Sequence, residues 1–227
     1  MASKPEFAAR LATYNMDDDD TEIDWNDKGN ITDWFSFDFD LAELQTLRKR
    51  QTNDFRNPEF DWQESVVTLE ELVGIVKEEG EVQGRSIGIY PEIKHPHAIN
   101  RILASRGVEE LLEELVLAEL ARLGLSSASD PVYLQSFELT SLEHLRRSSE
   151  LRLVFLTERN LTAADWARID GLGLAGEVPW CPGALQAWGW TRAGWSPLAT
   201  LIPWPGAGAG GAGPLPSYNR CQLATPV

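Results

Sequence analysis

Strand-like and helix-like segments alternate between residues 86 and 156, and this order constrains the fold more than any other feature. SIGIYPEI (86–93), VYLQSF (132–137) and LRLVFL (151–156) are rich in Val, Ile and Leu and are predicted strands. The segments between them, VEELLEELVLAELARLGL (108–125) and TSLEHLRRSSE (140–150), have the apolar spacing of amphipathic helices. Connections of this length allow successive strands to run parallel, so we predict an α/β fold with a parallel sheet covered by helices.

Two further helices are predicted ahead of the first strand. The segment 34–50 begins with alternating aromatic residues and continues as a helix. The segment 68–80 opens with a capping box, in which Thr68 accepts a hydrogen bond from the amide of Glu71 and Glu71 reaches back. Gly80 is the predicted C-cap of this second helix.

The two ends of the chain differ in composition from its middle. Residues 1–33 are polar and contain a run of four aspartates, which is typical of a disordered acidic segment. Residues 172–227 are rich in Trp, Gly and Pro, and their charged side chains are Glu177, Arg192 and Arg220. Five tryptophans in this tail would form a large apolar surface unless they pack. The tail is therefore either a hydrophobic cap or a poorly ordered segment that never evolved to fold, and we expect the second.

Composition also limits the classes of function. The chain has 227 residues and a formal net charge of −15, and its acidic balance argues against a nucleic-acid partner, because phosphate backbones bind basic surfaces. Cys181 and Cys221 are too far apart to indicate a zinc site. We find no signal peptide and no run of about 18 apolar residues that could form a membrane span. A cytoplasmic location is the default expectation.

The stretch GIYPEIKHP (88–96) places charged side chains on a predicted buried strand. Strand alternation directs Tyr90, Glu92 and Lys94 to one side. In a sheet covered on both faces the charge of Glu92 would cost several kcal/mol unless it is paired or bound to a metal. In a closed barrel the same side faces the lumen, where a carboxylate can hold a hard cation and an ammonium can hold a phosphate oxygen. A surface ion pair at the end of a strand is the alternative.

GIYPEIKHP resembles the signature strand of the glycerophosphodiester phosphodiesterase family. Other segments resemble the same family in the same order, and the resemblance covers roughly residues 34–157. These segments are FDFDLAELQTLR (37–48), DFRNPEF (54–60), VTLEELV (67–73), VYLQSFELTSLEHLR (132–146) and LRLVFL (151–156).

The resemblance implies a (β/α)8 barrel of the TIM type and a divalent cation, calcium or magnesium, as cofactor. It also implies cleavage of small-molecule glycerophosphodiesters to glycerol 3-phosphate and an alcohol. Glu92 corresponds to a metal-binding glutamate of the family and Lys94 to a lysine at the substrate phosphate. Gln135 and Phe137, at the end of the next strand, are implied substrate-binding residues. The part of the barrel present in this chain is expected to span residues 34–171.

The sequence departs from the pattern of the family on both sides of the resembling region. The family's opening HRG strand, its metal-binding E-x-D strand and its HD motif have no counterpart within residues 34–157. Beyond Phe155 the tail does not resemble the family's last two strands. We therefore expect an incomplete barrel with no securely assigned catalytic residue. A catalytically inactive fragment or remnant of the family remains the alternative function.

The three histidines of the chain are not expected to supply the unassigned catalytic residues. His144 is expected on the surface of a helix, and His95 and His97 lie in the loop after Lys94. An H-x-H pair can bind a metal, but a loop turn beside a proline is the commoner explanation of this spacing.

Overall fold

The computed structural model of the chain describes residues 5–17, 29–52, 55–157, 161–174 and 176–179. Within these residues the chain forms a two-stranded antiparallel sheet and a three-stranded parallel sheet with helices packed against it. Most of the segment 172–227, including all five of its tryptophans, lies outside the described residues.

The elements follow one another along the chain in an order that alternates strands and helices over its second half. They are α1 (Pro5–Ala8), β1 (Ala12–Asn15), β2 (Asn30–Asp33), a 3-10 turn (Ser36–Asp38), α2 (Leu41–Leu44), α3 (Leu69–Gln83), α4 (Pro96–Ser105), α5 (Leu112–Arg122), β3 (Tyr133–Ser136), α6 (Leu139–Ser148), β4 (Arg152–Thr157), α7 (Ala163–Leu172) and β5 (Gly176–Pro179).

The parallel sheet confirms the α/β class expected from the sequence. Its strands lie in the order β3-β4-β5, and Gln135 is in register with Val154. The segment 88–94 extends this array on the other side of β3 through two parallel bridges, Ile89 to Val132 and Glu92 to Gln135. Four consecutive extended segments therefore lie side by side in chain order. The described residues form no closed barrel.

Burial alternates along β3 and separates the two faces of the sheet. Leu134 and Ser136 are fully buried, whereas Tyr133 and Gln135 are partly exposed. The buried face packs against α3, α5, α6 and α7 in one apolar core. That core contains Val73, Ile89, Ile93, Leu120, Leu125, Val132, Leu134, Leu139, Leu142, Leu145, Leu151, Leu153, Phe155, Ile169 and Leu172.

The N-terminal segment is more ordered than its composition predicts. β1 and β2 pair as an antiparallel hairpin, with Tyr14 opposite Ile31. Met16 packs against Ala98 and Ile102 of α4. The hairpin therefore provides an apolar face, although residues 1–33 as a whole are acidic in composition. The expected disorder therefore does not apply to these two strands, and residues 18–28, which include most of the acidic run, lie outside the described residues.

Two helix predictions need correction. Thr68 and Glu71 form the expected capping box, but α3 continues past Gly80 and ends at Gly84, whose φ of 64° is left-handed. Gly80 is instead a packing position, because a Cβ there would lie 2.8 Å from the carbonyl oxygen of Arg85. The helix expected over 34–50 is the short α2, Leu41–Leu44.

Gly88 allows the signature segment to approach its neighbour closely. A Cβ at Gly88 would lie 2.8 Å from the carbonyl oxygen of Pro131, the atom that accepts the Ile89 amide. We expect Gly88→Ala to lower the free energy of unfolding by about 1–3 kcal/mol, as overpacked positions do. Urea unfolding measures this change.

The matched control is Gly74→Ala in α3, where a Cβ meets nothing within 4 Å. This control is expected to raise stability by about 0.5–1 kcal/mol, because alanine is the better helix former. A Gly88→Ala protein as stable as the wild type would contradict the proposed close approach.

Candidate functional site

Backbone hydrogen bonds to β3 fix the positions of Glu92 and Lys94. The amide of Ile93 donates to the carbonyl of Gln135 at 2.9 Å, and the amide of Gln135 donates to the carbonyl of Pro91 at 2.9 Å. Ile93 is buried in the core, at 4% exposure, so its neighbours on either side face away from the helices. Glu92 and Lys94 therefore project from the open face, at the C-terminal end of the segment.

Glu92 and Lys94 form an ion pair. The Lys94 Nζ lies 2.7 Å from the Glu92 Oε1, and the two side chains are 68% and 21% exposed respectively. Neither charge is buried, so the burial cost considered from the sequence does not arise. An exposed pair of this kind contributes about 0–1 kcal/mol to stability. The pair is therefore a weak stabilising contact and an accessible one.

Gln135 and Phe137 occupy the expected strand end, but Gln135 also has a structural role. Its side-chain Nε2 donates to the Tyr90 carbonyl at 3.1 Å, which ties β3 to the signature segment a second time. The amide oxygen of Gln135 has the chemistry to accept a hydrogen bond from a substrate hydroxyl. Phe137 follows β3 directly and is half-buried.

Sequence reasoning missed two buried residues beside the site, Ser136 and Glu138. The Ser136 Oγ donates to the carbonyl of Ile93 at 3.0 Å, and the Glu138 carboxylate accepts the His97 amide at 3.0 Å. Both side chains are at most 1% exposed. No local pattern in the sequence marks either residue, because their burial is compensated by hydrogen bonds to residues distant in the chain.

An aromatic pair lies beneath the charged pair on the same face. The rings of Tyr90 and Tyr133 meet edge to face, with centroids 6.0 Å apart, and the Arg152 guanidinium lies 5.3 Å from the centre of the Tyr133 ring. Burial, with a smaller contribution from Tyr133, raises the pKa of Tyr90 to about 12. Tyr90 is therefore a neutral phenol throughout the physiological range.

Comparison with known proteins identifies the family of this chain. A model of the glycerophosphoryl diester phosphodiesterase family matches residues 14–184. The chain belongs to this family. The match is wider than the resemblance seen over residues 34–157, and it includes the N-terminal hairpin except for the first residues of β1.

A curated relative supports the same family. Glycerophosphodiester phosphodiesterase GDPD6 of Arabidopsis thaliana is 28% identical over 166 residues, which cover 70% of this chain. The aligned region is 40% of the relative, so this chain spans about two fifths of the length of the protein it matches.

The described residues do not by themselves fit a divalent cation, on which this family generally depends. Calcium takes about six to eight oxygen ligands, and magnesium also needs several. No group of three or more His, Cys, Asp or Glu side chains comes together as a metal site among the residues that the structure describes. Glu92 contributes one carboxylate, and that carboxylate already contacts Lys94.

The histidines lie outside an obvious catalytic arrangement. His95 is the N-cap of α4 and His97 lies in its first turn, so the turn beside Pro96 accounts for their spacing. His144 lies in α6, as expected, but its side chain is only 22% exposed, and its Nε2 lies 3.6 Å from the Glu114 Oε1 on α5. His144 therefore belongs to the helix layer rather than to the open face.

The raised pKa of Tyr90 predicts a late phenol titration. The difference in phenolate absorbance between the wild type and Tyr90→Phe should titrate near pH 12. Because an unfolded tyrosine titrates near pH 10, folding favours the neutral phenol. The contribution of Tyr90 to stability is therefore fully present below about pH 10 and is lost as the pH rises toward 12. A difference curve centred near pH 10 would contradict the raised pKa of Tyr90.

Proposed function

We propose that this chain forms one wall of the active site of a glycerophosphodiester phosphodiesterase. The reaction is hydrolysis of a small-molecule glycerophosphodiester to glycerol 3-phosphate and an alcohol. The observation that carries this proposal is the placement of Glu92, Lys94 and Gln135 side by side on the open face, at the C-terminal end of parallel segments, in a member of this family.

The layout of the described elements supports a barrel of the (β/α)8 type. Segment 88–94, β3, β4 and β5 lie side by side in chain order, and the helices after them pack into a single core with one face of the sheet. A doubly wound sheet would instead reverse its strand order and carry helices on both faces. In a barrel the C-terminal ends of the strands carry the functional groups. We propose that residues 34–171 form the barrel part of this chain, between an acidic segment (1–33) and a Trp-rich tail (172–227).

In this proposal each residue has a limited role that its position supports. The exposed Lys94 ammonium binds a non-bridging oxygen of the phosphate, and the Gln135 amide oxygen accepts from a glycerol hydroxyl. The half-buried ring of Phe137 provides an apolar boundary to the same site. Glu92 would supply one carboxylate toward a calcium or magnesium ion, the cofactor that the family resemblance implies.

The alternative is a catalytically inactive member of the family that binds the substrate phosphate without cleaving it. The contact between the Glu92 carboxylate and Lys94 favours this alternative, because the carboxylate is neutralised by a lysine of the same strand. The sequence favours it too, since the family's HRG and HD motifs have no counterpart in the region of resemblance. Both functions share the phosphate-binding role of Lys94.

An assay of phosphodiester hydrolysis separates the two functions. We expect this chain to hydrolyse bis(p-nitrophenyl) phosphate or glycerophosphocholine weakly or not at all in the presence of calcium, because one carboxylate does not hold a catalytic cation well. Turnover that Glu92→Ala abolishes would contradict this expectation and would identify the chain as an active phosphodiesterase. Glu59→Ala, which removes an exposed carboxylate from a turn, is the control.

Binding of glycerol 3-phosphate tests the role that both functions share. Lys94→Ala should weaken binding about tenfold, because a hydrogen bond to a charged group contributes roughly 1.5 kcal/mol. Isothermal titration calorimetry measures the dissociation constants. Lys77→Ala, which removes an exposed lysine from α3, should leave the constant unchanged. Equal affinity in the wild type and Lys94→Ala would contradict a phosphate site at Lys94.

A further inference from the structure

We propose that Glu138 is a positioning residue that fixes the direction of Lys94 through the turn that follows it. The inference rests on the proposed function of Lys94 as the phosphate-binding group. Glu138 lies immediately before α6 and is 1% exposed, and its Oε2 accepts the amide of His97 at 3.0 Å. That amide belongs to the first turn of α4, where amides have no partner within the helix and a negative charge is stabilised.

A second contact connects the same strand end to the other side of Lys94. The hydroxyl of Ser136, fully buried, donates to the carbonyl of Ile93 at 3.0 Å. The same hydroxyl accepts the amide of Glu138 at 3.1 Å. Ser136 and Glu138 therefore hold the backbone on both sides of Lys94, at Ile93 before it and at His97 after it.

The turn between these two contacts is in a conformation that needs such support. His95 has φ 49° and ψ 44°, which is the left-handed region that residues other than glycine rarely adopt. A conformation of this kind persists where the surrounding structure holds it in place. Pro96 fixes the first residue of α4, and Glu138 anchors the residue after Pro96. Without the Glu138 carboxylate, His95 can relax toward a right-handed or extended conformation, and the Lys94 side chain then leaves its position beside Glu92.

The test compares Glu138→Ala with Glu113→Ala in the full chain. Glu113 is a second buried carboxylate, 3% exposed, which accepts the Asn100 Nδ2 at 3.0 Å in the helix layer and does not contact the turn. Both variants lose a buried hydrogen-bonded carboxylate, so we expect them to lose a similar amount of folding stability. The first readout is the backbone Cα and Cβ chemical shifts of Lys94 and His95, which report their conformation without any ligand. The second is the dissociation constant for glycerol 3-phosphate.

Glu138→Ala is expected to move the His95 shifts away from left-handed values and to weaken glycerol 3-phosphate binding by up to about tenfold, the loss expected when the Lys94 hydrogen bond itself is removed. Glu138→Gln keeps an oxygen that can accept the His97 amide and is expected to restore most of both readouts. Glu113→Ala is expected to change neither readout, although it lowers stability.

Unchanged His95 shifts in Glu138→Ala, or an equal change in Glu113→Ala, would overturn the inference. If Glu138→Ala does not fold, Ser136→Ala replaces it, because this variant removes the contact to Ile93 and leaves the carboxylate in place. Ser136→Ala is expected to change the Cα and Cβ chemical shifts of Lys94, and unchanged Lys94 shifts would also overturn the inference. A wild-type chain that does not bind glycerol 3-phosphate refutes the proposed phosphate site instead, and the His95 shifts then decide the role of Glu138 alone.

Discussion

The pairing of segment 88–94 with β3 is the constraint on which the rest of the site depends. It places Ile89 and Ile93 in the helix-covered core and Glu92 on the opposite face beside Gln135. Side chains alternate along an extended segment, so a shift of one residue would exchange these two sets. Glu92 and Lys94 would then enter the core, where an uncompensated charge costs several kcal/mol. The apolar residues of the strand thus set the position of its charged ones.

The helices cover one face of the parallel sheet, and the order of the strands determines which edge of the sheet a further strand could join. Consecutive right-handed crossovers place successive helices on the same side of a parallel sheet, as they lie around β3, β4 and β5. A parallel sheet of this kind closes into a barrel only if both of its edges pair with further strands. Within the described residues, segment 88–94 pairs with β3 alone. This edge is the place where a closed (β/α)8 barrel would add a preceding strand.

The sequence predicted the repeating part of this structure well and its individual turns poorly. Apolar runs and a capping box located β3, β4 and α3, because periodicity and capping are local signals. The helix α4 was missed, since it starts within the proline turn and has only ten residues. The hairpin of β1 and β2 was missed because its burial depends on contacts with α4, which are distant in sequence. Motif resemblance named Glu92 and Lys94 as candidate site residues, but no local pattern marked Ser136 or Glu138, whose burial is compensated by tertiary hydrogen bonds.

In the proposed function Lys94 meets the ligand, whereas Ser136 and Glu138 hold the backbone on either side of it. The Lys94 side chain is 68% exposed and that of Glu92 is 21% exposed, so their mutual attraction is worth about 0–1 kcal/mol. In the proposed function an incoming phosphate would compete with the carboxylate at little cost. Glu138 is almost fully buried, and a buried carboxylate is costly to leave unpaired, which makes its contact with the His97 amide hard to break. An exposed lysine on a long side chain gains specificity only if its backbone is fixed. On the inference drawn above, the rigid element is the turn after Lys94, held by the buried Glu138, and the adaptable element is the ion pair with Glu92.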